Sequence, residues 1–271
     1  MIQLIASDID GTLLPYGAPL PPANRDALVQ AQALGVRIVL ATVRKRKTTA
    51  LIADELGLPC TFICQAGATI YDETGSQLRN LSIPFEIALA IAELARAHDF
   101  ALLATIDEVN YHAIGSQPGA FEPAAGERIA DLVEMLHRTE RPPTRLMVRG
   151  EAAVTLMMQH FADAPIRFMR HYAPDGTLYD AAITAVEATK ESALALLCER
   201  WGIPMSDVLA LGDAEADIAM LRMAGIGVAL GDAHPEVRAA ADWVAPPAAD
   251  AGVAAAIQRF VLTPHAAKAG A

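Results

Sequence analysis

"IQLIASDIDGTLL", residues 2–14, runs from an apolar stretch straight into two aspartates, Asp8 and Asp10, one residue apart. Ile2 to Ala6 is interrupted only by Gln3 and reads as a short buried strand. Carboxylates that close resist joint ionisation unless a cation or a reaction needs both. Gly11 follows them, so the backbone just past the strand carries no side chain. Open parallel sheets bind ligands beyond the carboxyl ends of their strands. The fold therefore turns on whether other strands end in polar residues too.

Working outward, they do. "RIVLAT" (37–42) is a second buried strand and ends in Thr42, "TFICQ" (61–65) is a third, and "VLALGDAEAD" (208–217) leads into Asp213 and Asp217. Helices lie between them. Asn24 to Leu34 carries Ala27, Leu28, Ala31 and Leu34 on one stripe with Gly35 as a stop, residues 47–57 close on Gly57, and 190–201 open on Lys190 and close before Gly202. "ATIYDETGSQL" (68–78) reads as a hairpin around Glu73-Thr74-Gly75, "ADIAMLRMAG" as a helix, and "IGVAL" and "ADWVA" as late strands. Strands alternating with helices at this spacing imply a right-handed parallel α/β sheet.

Near residue 82 the character changes. "PFEIALAIAELARAHDF" and "GERIADLVEMLHR" read as amphipathic helices, and "ALLATI", "TRLMVRG", "IRFMRHY" and "TLYDAAI" as shorter strands with polar positions. The expected fold class is α/β, a Rossmann-like parallel-sheet core of residues 1–81 and 184–271 interrupted by an inserted α+β domain over 82–183. The tail after 262 is expected to be loosely ordered.

Composition agrees. The 271 residues are 53% apolar, enough for packed cores. A net charge of −11 argues against nucleic-acid and anionic-membrane partners, which need a basic face. No apolar run approaches the ~20 residues that span a bilayer, and Asp8 interrupts the first one too early for a secretory signal. Three cysteines without a CxxC pair fit a reducing compartment, so a cytoplasmic protein is expected. Cys60 and Cys64 flank a buried strand and read as inert core thiols. His112 and His171, in the inserted block, read best as surface histidines, with contact to substrate as the other reading. Oligomeric state is not legible.

On these strand ends, Asp8, Asp10, Asp213 and Asp217, a hydroxyl from Thr42 and an ammonium from Lys190 would converge on one crevice. Such a set suits phosphoryl transfer assisted by Mg²⁺, which favours carboxylate, water and phosphate oxygens. Taken singly, each residue has a plainer reading. Asp10-Gly11 is an ordinary turn pair. Asp217 could cap the following helix, and Lys190 could be a solvated lysine. An EF-hand loop needs a third acidic or amide residue before its glycine and follows a helix. "GIGVALG" (225–231) has Leu230 where a dinucleotide fingerprint needs its third glycine. Arg44 to Lys47 oppose the dipole of a helix start and read best as a solvated face, with an anionic substrate as the other reading.

DIDGT, Thr42, Lys190 and GDAEAD, in that order, resemble the four motifs of the haloacid dehalogenase-like phosphatases. The block between Thr42 and Lys190 resembles the large cap of the Cof-type branch, and "AGIGVALGDAHPEVRAAADWV" (224–244) resembles that branch's C-terminal stretch. The similarity spans about residues 2–260. It implies a phosphomonoester hydrolase acting on sugar phosphates or similar small phosphorylated metabolites. Asp8 would be the nucleophile and carry an aspartyl-phosphate. Asp10 would be the acid that protonates the leaving oxygen and then the base that activates water. Asp8, the Asp10 backbone carbonyl and Asp213 would hold Mg²⁺, with Asp217 beside or behind them. Gly11, Thr42 and Lys190 would serve the phosphoryl group. Three positions depart from the branch pattern: Ala216 replaces an Asn, Val43 a Gly, and Ala66 the Asn of Asn-Gly-Ala. A phosphomutase, or a regulatory binding protein on a weakened scaffold, are the alternative readings.

Overall fold

The computed structural model describes residues 1–113, 126–173 and 175–269. The chain forms two compact units, Met1–Arg79 with Thr189–Ala271, and Asn80–Ala188.

In chain order the first unit starts with β1 (Leu4–Ser7), α1 (Pro22–Ala33), β2 (Arg37–Ala41), α2 (Arg46–Leu56), β3 (Thr61–Cys64), β4 (Thr69–Tyr71) and β5 (Gln77–Asn80). The second unit holds α3 (Phe85–Ala97), β6 (Leu102–Ile106), β7 (Val109–Ala113), β8 (Glu127–Ile129), α4 (Leu132–Thr139), β9 (Arg145–Arg149), α5 (Glu151–His160), β10 (Ile166–Tyr172) and β11 (Leu178–Ala185). The first unit resumes with α6 (Lys190–Trp201), β12 (Val208–Gly212), α7 (Ile218–Met223), β13 (Ile226–Ala229), α8 (Pro235–Ala240), β14 (Trp243–Val244), α9 (Gly252–Ile257) and α10 (Thr263–Ala269).

The fold is α/β. The sheet of the first unit runs β14-β13-β12-β1-β2-β3-β4-β5, and its strands are parallel from β14 through β3. The β3–β4 pair is antiparallel. Successive strand residues feed opposite layers, as the two-residue strand period requires. Ile5, Ile38, Leu40, Leu209 and Leu211 pack with Leu28, Leu56 and Ile257 on one side. Leu4, Ala6, Val39, Val208 and Ala210 pack with Leu194, Leu197 and Met220 on the other. Both faces are covered, which is why these strands read as unbroken apolar runs. Register then sets the site: Ser7 lies opposite both Leu40 and Leu211, so β1, β2 and β12 finish at one level.

Lys190 opens α6 because the Thr189 side chain caps it, accepting from the Ser192 N–H at 3.2 Å, and the left-handed Gly202 ends it.

In the second unit the sheet order is β10-β11-β9-β6-β7-β8. Ala88, Ile91, Leu136, Val154 and Met157 from its helices pack on Leu102, Leu146, Val148 and Ile183. Several sequence expectations need correction. Residues 126–138 are not one helix: β8 occupies Glu127–Ile129, and Asp131 then caps α4 by accepting from Val133 and Glu134 N–H at 2.7 and 3.1 Å. β7 and α5 are additional elements. His112 is a buried residue of β7, not a surface one. The tail is helical over Thr263–Ala269. All three cysteines are free and buried, and burial pushes the Cys60 thiol up to about 12. Among the described residues no helix is long and apolar enough to cross a membrane.

Candidate active site

Asp8 follows β1 directly, its N–H donating to the Leu211 carbonyl at 3.0 Å. Lys190, 182 residues away, reaches the same point from the start of α6. Its Nζ donates to Asp8 Oδ1 at 2.6 Å and to Asp217 Oδ1 at 2.7 Å. The other Asp217 oxygen, Oδ2, accepts from the backbone N–H of Asp213 at 3.2 Å and Ala214 at 3.0 Å. Asp217 thus secures the turn after β12 and lends a carboxylate to the cluster. Asp213 Oδ1 accepts from the Thr12 hydroxyl at 2.6 Å, and Oδ2 from the Tyr16 hydroxyl at 3.1 Å.

Asp8, Asp213 and Asp217 are buried, and one oxygen from each lies within 4.8 Å of the others. Three carboxyl groups face one ammonium, so with all three ionised two negative charges lack a counter-charge in the cluster. The electrostatics follow. Burial, together with the Asp217 and Asp213 charges and against Lys190, pushes Asp8 up to about 8. Asp213 is also raised, by burial first and by Asp217, against the hydrogen bonds from Thr12 and Tyr16. Burial alone would lower Lys190, but Asp217 and Asp8 outweigh it and hold the ammonium above the usual lysine range. Burial, Asp213 and the bond to its carboxylate raise Tyr16 as well. A site of this donor set fits a hard divalent cation, which would supply the missing charge.

Asp10 stands apart from that cluster. Arg44 grips it as a fork, Nε to Oδ2 at 2.7 Å and Nη2 to Oδ1 at 2.5 Å. Thr42 is fully buried past the end of β2, and its hydroxyl oxygen accepts from the Arg44 N–H at 3.1 Å. Gly11 has φ +84°, and a Cβ there would fall on the Asp213 carboxylate and the Tyr16 ring. The lack of a Cβ at Gly11 is what admits Asp213 beside it. The Gly11 N–H itself donates to the Leu14 carbonyl at 2.7 Å.

Sequence reasoning assigned no role to Thr12, Tyr16 or Arg44. Thr12 stood inside the quoted motif. Arg44 was grouped with the cations behind it, yet α2 begins only at Arg46, so Arg44 lies in the strand-end loop. Arg46 lies over the Tyr71 ring, 5.1 Å from its centroid. The run from 44 to 47 is therefore not one solvated face. Ala66 sits at φ 57°, ψ 24°, the left-handed region that Asn tolerates better than Ala.

A family model described as haloacid dehalogenase-like hydrolase matches residues 5–257. Phosphatase YwpJ of Bacillus subtilis (strain 168) is 28% identical over 279 residues, covering 90% of this chain and 94% of that protein. The 5-amino-6-(5-phospho-D-ribitylamino)uracil phosphatase YcsE of the same organism is 28% identical over 263 residues, 96% of each chain. Among solved structures, the haloalkanoate-superfamily phosphatase BT1666 from Bacteroides thetaiotaomicron superposes with a TM-score of 0.80 at 27% identity, covering 96% of this chain and 95% of that one.

Proposed function

The chain belongs to the haloacid dehalogenase-like hydrolases, and from that premise we propose that it is a Mg²⁺-assisted phosphatase of small phosphorylated metabolites. Sugar phosphates and similar compounds are the substrate class, and an aspartyl-phosphate on Asp8 is the intermediate. The observation that carries this reading is the charge balance: Asp8, Asp213 and Asp217 around a single Lys190 call for a divalent cation. Two relatives named as phosphatases, aligned over nearly their whole lengths, support it. The second unit, Asn80–Ala188, is proposed as the cap that selects among substrates.

Asp8, Asp213 and the Asp10 backbone carbonyl would hold Mg²⁺, with Asp217 beside or behind them. Bound there, the ion supplies Lewis-acid stabilisation of charge on the phosphoryl oxygens. Lys190 holds Asp8 Oδ1, and among the described residues nothing hydrogen-bonds Oδ2. Oδ2 attacks phosphorus, a P–O bond to Asp8 forms, and the bond to the leaving oxygen breaks. Asp10 gives that oxygen its proton. It then takes a proton from water, whose oxygen attacks phosphorus and releases Asp8 and inorganic phosphate. Arg44 has only donors to offer and fills one acceptor site on each Asp10 oxygen. Arg44 therefore positions Asp10. The Thr42 hydroxyl, which accepts from Arg44, keeps its own proton to donate to a phosphoryl oxygen.

Turnover of p-nitrophenyl phosphate tests the proposal. Chelation should abolish it, Mg²⁺ should restore it, and Ca²⁺, with its looser coordination, should restore it poorly. Full turnover in excess EDTA would sink the metal assignment.

A further inference from the structure

The second unit carries a row of polar side chains across the sheet face opposite its apolar core. Register defines it. Arg167 on β10 lies opposite Thr184 on β11. The β11–β9 pairing runs from Asp180↔Arg149 to Ile183↔Leu146, so its next step sets Thr184 against Arg145. Arg145 lies opposite Thr105 on β6, and Thr105 opposite Asn110 on β7. Cross-strand partners share a face. Leu146 and Ile183, one position along, belong to the core on the other side.

This row holds two arginines and no acid. Thr105 and Asn110 satisfy each other, hydroxyl to Oδ1 at 2.9 Å. Arg145 and Thr184 do not. The Arg145 Nε and the Thr184 hydroxyl are buried and have no hydrogen-bond partner. Among the described residues no hydrogen bond or ion pair reaches the Arg145 side chain. Burial lowers the Arg145 pKa, and only the more distant fields of Glu108 and Asp180 oppose that.

Arg149, four residues along the same strand and on the same face, offers a comparison in charge pairing alone, since the Nε atoms of both arginines are enclosed. It pairs with Asp180 at 3.8 Å and lies over the Tyr179 ring, 4.7 Å from its centroid. His171 also binds Asp180, Nδ1 to Oδ1 at 2.6 Å. One end of the face is thus a compensated ion cluster. The other is a half-buried arginine, its Nε enclosed, beside a buried hydroxyl, and neither of those two donors has a partner. Enclosed donors without partners are costly, and native structures seldom keep them unless something completes them.

We propose that the Arg145–Thr184 pair is a receptor for an oxyanion, the carboxylate or phosphate of a small ligand, with Arg167 as the flanking cation. A guanidinium fork and a hydroxyl match the oxygens of either group. None of these residues belongs to the carboxylate cluster, so the inference stands apart from the phosphatase reading.

The test is thermal unfolding of the full chain in EDTA at constant ionic strength, with sulfate or malonate replacing chloride. Wild type, Arg145→Met and Thr184→Val are compared. Sulfate, malonate or both should raise the wild-type Tm along a saturating curve, and which of them does so separates a phosphate-like from a carboxylate ligand. Arg145→Met should need about tenfold more anion or over, the size of one lost charge-assisted hydrogen bond. Thr184→Val should shift the curve the same way by a few-fold. In chloride, both variants should melt at or above the wild-type temperature, since each removes a buried polar group without a partner. A lower Tm for Arg145→Met in chloride would make Arg145 a support of the fold and overturn the proposal. So would an equal anion response in all three proteins, or none in wild type.

Discussion

Asp8→Asn should stabilise the cation-free protein, increasingly so as pH rises. In the folded chain Asp8 is pushed from 3.8 up to about 8, chiefly by burial. Between those values the folded state holds a proton that the unfolded state has released, so stability falls as pH climbs from about 4 to 8. The slope is about 1.4 kcal/mol per pH unit. It accumulates to on the order of 5 kcal/mol by pH 8. Asparagine removes the charge and keeps a carbonyl for Lys190 Nζ, while Asp217 still holds that ammonium at 2.7 Å. Burying the new amide without full partners returns about 1–3 kcal/mol. The net gain at pH 8 is about 2–4 kcal/mol, a rise of roughly 5–10 °C in Tm for a chain of this size. Near pH 5 the two proteins should melt together. Calorimetry of both in EDTA from pH 5 to 9 reads the effect. Added Mg²⁺ should then raise wild type far more than the variant, because the cation binds the ionised cluster. A wild-type minus variant difference that stays flat with pH, or an Asn variant that melts lower at pH 8, would refute this account of Asp8.

Asp10→Asn should cost an alkyl phosphate ~10²–10⁴-fold, whereas p-nitrophenolate leaves without the proton. With p-nitrophenyl phosphate, rapid mixing should therefore show a burst and then slow turnover as phosphorylated Asp8 accumulates; equal losses and no burst would contradict the acid–base role. Arg44→Met should lower kcat about 10–100-fold by releasing Asp10 from its fork, and Arg44→Lys should recover only part, since an ammonium cannot form the fork. Steady-state rates at several pH values check both; full activity of the Lys variant would reduce Arg44 to a bare charge. Ala66→Gly should stabilise the protein by about 0.5–1 kcal/mol by relieving a left-handed alanine, read as an upward Tm shift at unchanged kcat, and a lower Tm would count against strain at that position.

The parallel core was legible because its strands are buried on both faces and its helices carry local stops. The stretch 190–201, expected to be helical and to end before Gly202, is α6 residue for residue. Elements without such marks were not legible. β8 is three residues long and sits in an amphipathic pattern continuous with α4, so periodicity merged the two. The tail's helix follows directly on Gln258–Leu262, whose Val261 is buried in the first unit's core, and composition alone did not reveal that contact.

Within the site, residue type and local position were enough to nominate Asp8, Asp213 and Lys190 from strand ends and a helix start. Tertiary structure alone decided who holds whom. Lys190 bridges Asp8 and Asp217, Tyr16 and Thr12 hold Asp213, and Arg44 leaves its run of cations for Asp10. The second unit makes the same point on one strand. Arg145 and Arg149 look alike in "TRLMVRG", and nothing local distinguishes them. The antiparallel register sets Asp180 across from Arg149 and ends at Ile183 across from Leu146, one step short of Thr184 and Arg145. Charge compensation depends on the residue across the ladder, and that residue lies more than thirty positions away in the chain.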